Sequence, residues 1–372
     1  MKRLIALLLV LTVALLSACG GEPQPSLSSV TLETPSASVS PSPSPSPSET
    51  PSASPSPSAS PAKVSFTTGL PFEGEYKPVG VMIENSAAAR PQTGMQSADI
   101  VYEAVAEGGI TRFFCIFNDK MPELVGPVRS LRIYYLMIQK EWDSIIVHWG
   151  GPHNGGDADV YGKASNHLKI RMDGLKGLKI NGKKQSVKLK QYIWRIPGGG
   201  VHDIRANLKN IQKLYNYTPK ERTPWLFDAN TAYAPNDATV SKVQLPFAGN
   251  ENYCSYVYDK QKDVLIRSMN KKEFTDAATK KPIEVKNLII QYVKYFSLNE
   301  GKGRQGIGQT GSGDAEFIIG GKHIKGTWER KDYDSQTIYK DDTGKEIVLR
   351  PGNTWVAMHP AGKQIKITYE GK

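Results

Sequence analysis

Apolar residues fall into three regimes along the chain. Lys2 and Arg3 lead into an apolar run from Leu4 to Leu16, which closes in Leu16-Ser17-Ala18-Cys19. From Gly20 to about Ala62 apolar clustering gives way to Pro, Ser, Ala and Thr, most regularly between Pro41 and Pro61. From Lys63 onward short apolar blocks return, separated by glycine, proline and polar turns.

The blocks between 63 and 220 mix two periods. Val79 to Glu84 predicts a strand ended by Asn85-Ser86. Ala98 to Val105 and Ile110 to Phe117 predict two strands linked as a hairpin through Glu107-Gly108-Gly109. Arg129 to Trp142 has helical spacing and follows Gly126-Pro127, Pro being suited to a first turn. Ser144 to Trp149 predicts a short buried strand ended by Gly150-Gly151-Pro152, and Asp203 to Tyr217 a second helix capped by Asp203. After a loop from Thr218 to about Val240, only short strands follow: 253–258, 264–268, 288–296, 316–319, 323–329, 346–349, 355–359 and 364–369. Gly320-Gly321, Asp342-Thr343-Gly344 and Pro351-Gly352 supply turns. The fold class expected is α+β, with an N-terminal mixed α/β sheet domain (63–220) and a smaller, mostly β domain (221–372), a sandwich or barrel.

The first two regimes speak to location. A charged start, an apolar core of about 13 residues and small residues before a cut make residues 1–18 an export signal, too short to span a bilayer that needs about 20. Cys19 at the cut looks like a bacterial lipobox, its thiol taking a diacylglycerol and its new amine a further acyl chain. Such an anchor holds the protein on the extracytoplasmic face of the cell membrane. Residues 19–62 cannot bury enough apolar surface to offset their ordering entropy and form a disordered spacer with polyproline II bias. Roughly 40 residues at about 3.1 Å each reach at most about 130 Å.

The whole chain carries +11, and from Lys63 onward 45 Lys and Arg face 33 Asp and Glu. A field of that sign attracts lipid headgroups or teichoic acids, although scattered solvated lysines explain it equally simply. Nucleic acid is excluded as a partner by export and by the absence of a recognised motif. Cys115 and Cys254 lie in apolar, aromatic stretches and are expected as buried free thiols.

Four runs have a familiar form: Arg90-Pro91-Gln92-Thr93-Gly94, Ala98-Asp99-Ile100-Val101-Tyr102-Glu103, Glu107-Gly108-Gly109-Ile110-Thr111-Arg112 and Gly126-Pro127-Val128-Arg129-Ser130. With Gly306-Ile307-Gly308, Gly326-Thr327-Trp328 and Pro351-Gly352-Asn353-Thr354-Trp355, they resemble the YerB-like lipoproteins, a two-domain family of unknown function. The resemblance implies an extracytoplasmic α/β domain followed by a smaller β domain, and no established activity. Where members carry Pro-His-Asn, this chain has Val201-His202-Asp203.

Tempting motifs fail on context. Gly306 to Gly311 matches the dinucleotide fingerprint, which works only between a strand and a helix; here a further strand follows, so it reads as a glycine-rich β turn. Ser268-Met269-Asn270-Lys271 lacks the companion motifs of the penicillin-interacting enzymes. No GxSxG, HExxH or P-loop occurs.

A polar constellation remains in the first domain. Arg129, Ser130 and Arg132 are expected to open a helix whose N-terminus favours anions. Asp99 and Glu103 share a strand face, with Glu107 and Arg112 at the following turn. His148 ends a strand before Gly150-Gly151, with His153, Asp157 and Asp159 beyond it and His202-Asp203 able to converge. One reading makes this a ligand cleft (Arg112, Arg129, Ser130, Arg132, Asp99, Glu107 and His202). Another makes it an envelope hydrolase using His148 with Glu103 or Asp157, or a metal site at His148 and His153. A structural reading pairs Arg112 and Arg129 with Glu103 and Glu107, and packs Trp149, Trp194 and Trp328 in the core rather than on sugars. The preferred function is a binding module for an anionic wall polymer or an envelope protein, with no cofactor required.

Overall fold

A computed structural model describes residues 63–166, 179–180, 183–184, 189–198, 200–220, 222–233, 238–248 and 252–371. The export signal (1–18), Cys19 and the spacer to residue 62 lie outside the described residues.

The first half supplies β1 (Val79–Glu84), β2 (Ile100–Val105), β3 (Thr111–Phe117) and β4 (Ile145–Val147). The second half adds β5 (Val240–Ala248), β6 (Asn252–Asp259), β7 (Val264–Met269), β8 (Lys272–Glu273), β9 (Glu284–Val285) and β10 (Asn287–Val293). It continues with β11 (Gly311–Ile319), β12 (Lys322–Arg330), β13 (Ile338–Asp341), β14 (Thr354–Pro360) and β15 (Lys366–Tyr369). The helices are α1 (Ile133–Trp142), α2 (Val160–Asn166) and α3 (Leu208–Leu214). The described chain is mostly β with few helices.

Both expected helices start late. Residues 203–206 are drawn into a strand pair, Ile204–Ala206 against Ile193–Arg195, so α3 begins after Asn207, whose side chain accepts from Asn210 N at 2.9 Å. Asp203 is therefore not the cap. The strand β5 falls where the sequence suggested the end of a loop; Val243, Leu245 and Phe247 alternate inward, but a bulge after Val240 breaks the period.

Strand order in the larger sheet is β13-β12-β11-β10-β14-β2-β3-β1-β4. Strands of both sequence halves thus share one ladder: β14 lies parallel between β10 and β2, pairing Thr354 with Asn287 and with Ile100. The boundary expected at residue 220 divides the sequence, while the hydrogen bonds of this sheet cross it. A second sheet, β8-β7-β6-β5-β15 with β9 against β7, comes from the second half alone.

Alternation sends neighbouring side chains to opposite faces of the large sheet, and both faces are covered, which is why runs such as Val79–Glu84 are buried throughout. On one face Val81, Val101, Phe113, Cys115 and Trp355 meet Leu245, Cys254, Tyr256 and Met269 of the second sheet. On the other face Met82, Tyr102, Phe114 and Val356 meet α1 through Tyr134, Tyr135, Leu136 and Trp142. The result is three layers, sheet on sheet and helix on sheet. Cys115 and Cys254 are buried and free, and burial pushes both thiols well above their usual pKa.

Between the two sheets lies one full ion pair. Glu103 of β2 and Arg267 of β7 have no side-chain exposure, and Arg267 Nη2 donates to both carboxylate oxygens at 2.9 and 3.0 Å. Trp355 Nε1 donates to Glu103 Oε2 at 3.0 Å and Thr111 Oγ1 to Oε1 at 2.7 Å. The guanidinium carbon stands 4.1 Å from the Phe274 ring centre and 4.6 Å from that of Trp355. Four strands and a connecting loop thus surround one buried charge pair, in which Arg267 Nη2 carries the hydrogen bonds to Glu103 while Nε and Nη1 find no partner among the described residues.

Arg267→Met leaves the Glu103 carboxylate stranded and is expected to cost roughly 3–5 kcal/mol, whereas Arg267→Met combined with Glu103→Leu costs less than either single change. Urea unfolding of the full-length variants measures both; simple additivity of the two losses would contradict the coupling.

Candidate functional site

Strands β1, β2, β4, β10 and β14 run in one direction, so their carboxyl ends emerge along a single edge of the large sheet. Open sheets of parallel strands present ligand sites at that edge. The segment Gly126–Leu131 is laid across it in extended form. Glu84 N donates to Pro127 O, Arg129 N to Met82 O, Val128 N to Ile204 O and Leu131 N to Gly150 O. Gly126 allows the close approach: a Cβ there would come within 2.5 Å of Ile204 O. Because these amides are spent, and because α1 starts only at Ile133, Arg129, Ser130 and Arg132 do not form a helix N-terminal anion site.

Glu84, at the end of β1, is the hub of this edge. Its Oε2 is 2.7 Å from Arg129 Nε and 2.7 Å from His202 Nδ1, and Ser86 Oγ donates to its Oε1 at 3.0 Å. Gln92 Nε2 donates to Glu84 O, and Arg90 holds Asn85 through its side-chain and backbone oxygens. Thr93 exchanges two backbone hydrogen bonds with Gly126. Arg195 is 2.8 and 2.9 Å from the Asp203 carboxylate oxygens and lies over the ring of Trp149. Glu84–His202 is a carboxylate-oriented imidazole, one half of an acid–base pair. Among the described residues no hydroxyl or thiol is hydrogen-bonded to His202 Nε2.

Beside the hub opens a cleft of about 330 Å³ lined by Glu107, Ser130, Arg132, Gly151, Pro152, Lys302 and Arg304. Arg132 grips Glu107 with two hydrogen bonds of 2.5 and 2.7 Å, and it holds that carboxyl below the usual range although burial alone would raise it. Arg112, half-buried, donates to Ser130 O at 2.9 Å. Arg304 pairs with Glu300 at 3.3 Å, and Lys302 makes no ion pair among the described residues. A larger groove of about 740 Å³ runs along the far end of the sheet near Trp225 and Ile338. Its buried arginine, Arg330, is spent on Glu141 and on the carbonyls of Met137, Tyr333 and Ser335.

Two family models match the chain: the N-terminal domain of a protein of unknown function, DUF3048, over residues 67–215, and its C-terminal domain over 243–356. The chain belongs to the DUF3048 family. It is 32% identical over 291 residues to the protein named "Putative lipoprotein YerB" of Bacillus subtilis (strain 168), covering 77% of this chain and 82% of that one. It is also similar to the crystal structure of YerB from Bacillus subtilis, with a TM-score of 0.67 and 29% identity over 82% of this chain and 99% of that one. Motifs far apart in the sequence converge in space. Thr93 meets Gly126, Val128 meets Ile83 and Ile204, and Trp355 meets Glu103.

The expected pairings are exchanged. Glu103 binds Arg267 rather than Arg112 or Arg129, Arg129 binds Glu84, and Arg132 binds Glu107. Glu103 is sealed in the sandwich and cannot serve as a catalytic base with His148. His148 is itself buried, its Nδ1 donating to Gly150 O at 2.7 Å, and burial lowers its pKa. His153 is largely exposed and 3.3 Å from Asp159, which accepts from the amides of Tyr161 and Gly162 at the start of α2. Asp157 is exposed and pairs with Lys163. These groups are not brought to a common point, and among the described residues no cluster of three His, Cys, Asp or Glu side chains could hold a metal ion. Trp328 is buried and donates to Tyr292 O. Glu84, Glu300, Lys302 and Arg304 escaped the sequence reading. Only the position of Glu84 at a strand end before Asn85-Ser86 could have marked it.

Asp99 sits at the opposite, amino end of β2, away from the cleft. Its Oδ2 accepts from Thr67 Oγ1 (2.7 Å), Asn118 N (2.8 Å) and Asp119 N (3.1 Å). Burial first, and then the Asp119 carboxylate, raise its pKa to about 7. Since this exceeds the unfolded value of about 3.9, the stability it contributes is present at low pH and lost as pH rises from about 4 through about 7. Asp99→Asn is expected to flatten that part of the profile, as checked by urea melts between pH 4 and 8; an unchanged slope would assign the pH dependence to other groups.

Proposed function

We propose that the protein is a lipid-anchored binding module of the bacterial envelope that holds an anionic ligand in the cleft at the carboxyl edge of its large sheet. The observation that carries this reading is the lining of the cleft: Arg132, Lys302 and Arg304 stand against a single acid, Glu107. Two of those cations are locked by carboxylates, which fixes their positions, and the ammonium of Lys302 is left to meet a ligand. Its volume lies at the lower end of the range for small-molecule sites, enough for one charged group of a longer polymer.

Charge supports the same reading. Residues 163–195 hold ten Lys and Arg against one acid, Asp173, so most of the excess positive charge falls in one stretch of the sequence. Concentrated charge of one sign raises the local concentration of an anionic partner and speeds its capture. The lipid on Cys19 and the Pro/Ser-rich spacer carry the domain outward from the membrane, where teichoic acids and lipid-linked precursors present repeated anionic groups. The name of the Bacillus relative supports the anchor.

The test is calorimetric titration of the full-length protein, in non-ionic detergent, with a poly(glycerol phosphate) polymer. Binding is expected to weaken as salt is raised, because screening shortens the reach of the cleft's charge. Lys302→Glu is expected to lower affinity at least about tenfold, or about 1.4 kcal/mol. Salt-independent binding, or full affinity in Lys302→Glu, would remove the cleft from the function.

A further inference from the structure

The cleft is walled by two segments far apart in sequence, and a single side chain fastens them together. The strand Tyr295–Ser297 follows β10 and returns as Gln305–Ile307, leaving a loop at residues 298–304 that carries Lys302 and Arg304. On the other side the loop after β4 brings Gly151 and Pro152 to the cleft and continues to α2. Glu300 reaches from the first loop to the second. Its Oε1 accepts from Ala158 N at 2.8 Å, and its Oε2 accepts from Asn154 Nδ2 at 2.9 Å and from Arg304 Nη1 at 3.3 Å.

Two features show a seat built for that carboxylate. Asn154, Ala158 and Arg304 all aim donors at it, and Asn154's hydrogen bond leads the effects that lower its pKa. Gly156 leaves room for it, since a Cβ there would stand 2.3 Å from Oε1. The loop then presents Lys302 in left-handed backbone at φ 55°, between Gly301 and Gly303 at φ 70° and 61°. A β-carbon is disfavoured in that conformation and a third glycine would relieve it.

We infer that Glu300 is the positioning residue of the cleft. By clamping the 298–304 loop of one family domain onto the Asn154–Ala158 turn of the other, it sets Lys302 and Arg304 around an anion that neither domain could hold alone. The inference rests on the anion-binding reading above and adds that affinity is controlled from a side chain that does not line the cleft.

The experiment titrates the full-length protein in non-ionic detergent with inorganic pyrophosphate at low salt, comparing wild type, Glu300→Gln, Lys302→Gln and the double variant, with a thermal melt of each. Glu300→Gln turns one acceptor oxygen into an amide that clashes with the donors of Asn154 and Arg304. It is expected to weaken binding roughly tenfold with an unaltered melting profile. Adding Lys302→Gln to Glu300→Gln is expected to cause no further loss, because the lysine is already displaced. Asn154→Asp added to Glu300→Gln exchanges donor and acceptor and is expected to restore most of the affinity. Wild-type affinity in Glu300→Gln, or full additivity with Lys302→Gln, would overturn the positioning role while leaving the cleft in place. Absence of pyrophosphate binding by the wild type, together with absence of binding to the polymer, would overturn both readings.

Discussion

The Glu103–Arg267 pair sets the terms on which this chain folds. Taking a carboxylate and a guanidinium fully out of water costs several kcal/mol per ion, recovered only when geometry and further hydrogen bonds are both good. Here Arg267 donates to both carboxylate oxygens, Trp355 and Thr111 donate to the same carboxylate, and aromatic faces enclose the cation. Glu103 belongs to the first half of the chain, Arg267 and Trp355 to the second. Neither half can bury its own member without the other, so the charge pair selects the packing in which the second sheet lies on β2 and β3. Apolar contacts supply the driving force for that packing and leave its register less tightly specified.

The shared ladder has the same consequence for the backbone. With β14 inserted between β10 and β2, strands of both family domains depend on one another for hydrogen-bond partners. Removing β14 would leave two rows of buried amides and carbonyls unpaired, each a penalty comparable to a lost hydrogen bond. The two-domain description of the family therefore names sequence segments that meet in one sheet.

That sheet is what gives the edge its character. Five carboxyl ends arrive side by side, and loops from both halves sit on them: Glu107 and Arg132 from one, Lys302 and Arg304 from the other. Most charged groups on the edge are already paired, which would lower the entropy cost of binding the anion proposed above. His148 is enclosed, and His202 is oriented by Glu84 with no nucleophile bonded to it among the described residues.

The sequence by itself determined the local elements whose period is strong. The strand Val79–Glu84 was legible to the residue, and the hairpin of β2 and β3 was legible because buried apolar runs flank a Glu-Gly-Gly turn. Family membership was legible in motifs, and the excess of basic residues in composition. What lay beyond reach were decisions made between distant residues. Arg129 to Arg132 have helical spacing, yet they are extended because Met82, Ile204 and Gly150 offer their carbonyls to that segment. Glu103 looked like a site acid, yet it belongs to the core because Arg267, 164 residues later, is carried to it by a second sheet. Glu107, Ser130 and Arg132 could be picked from their neighbours, but Lys302 and Arg304 join them only after β10 has paired in the large sheet. Period and propensity act over a few residues, whereas charge pairing and ladder hydrogen bonds are settled by which strands become neighbours, and that is a property of the tertiary structure alone.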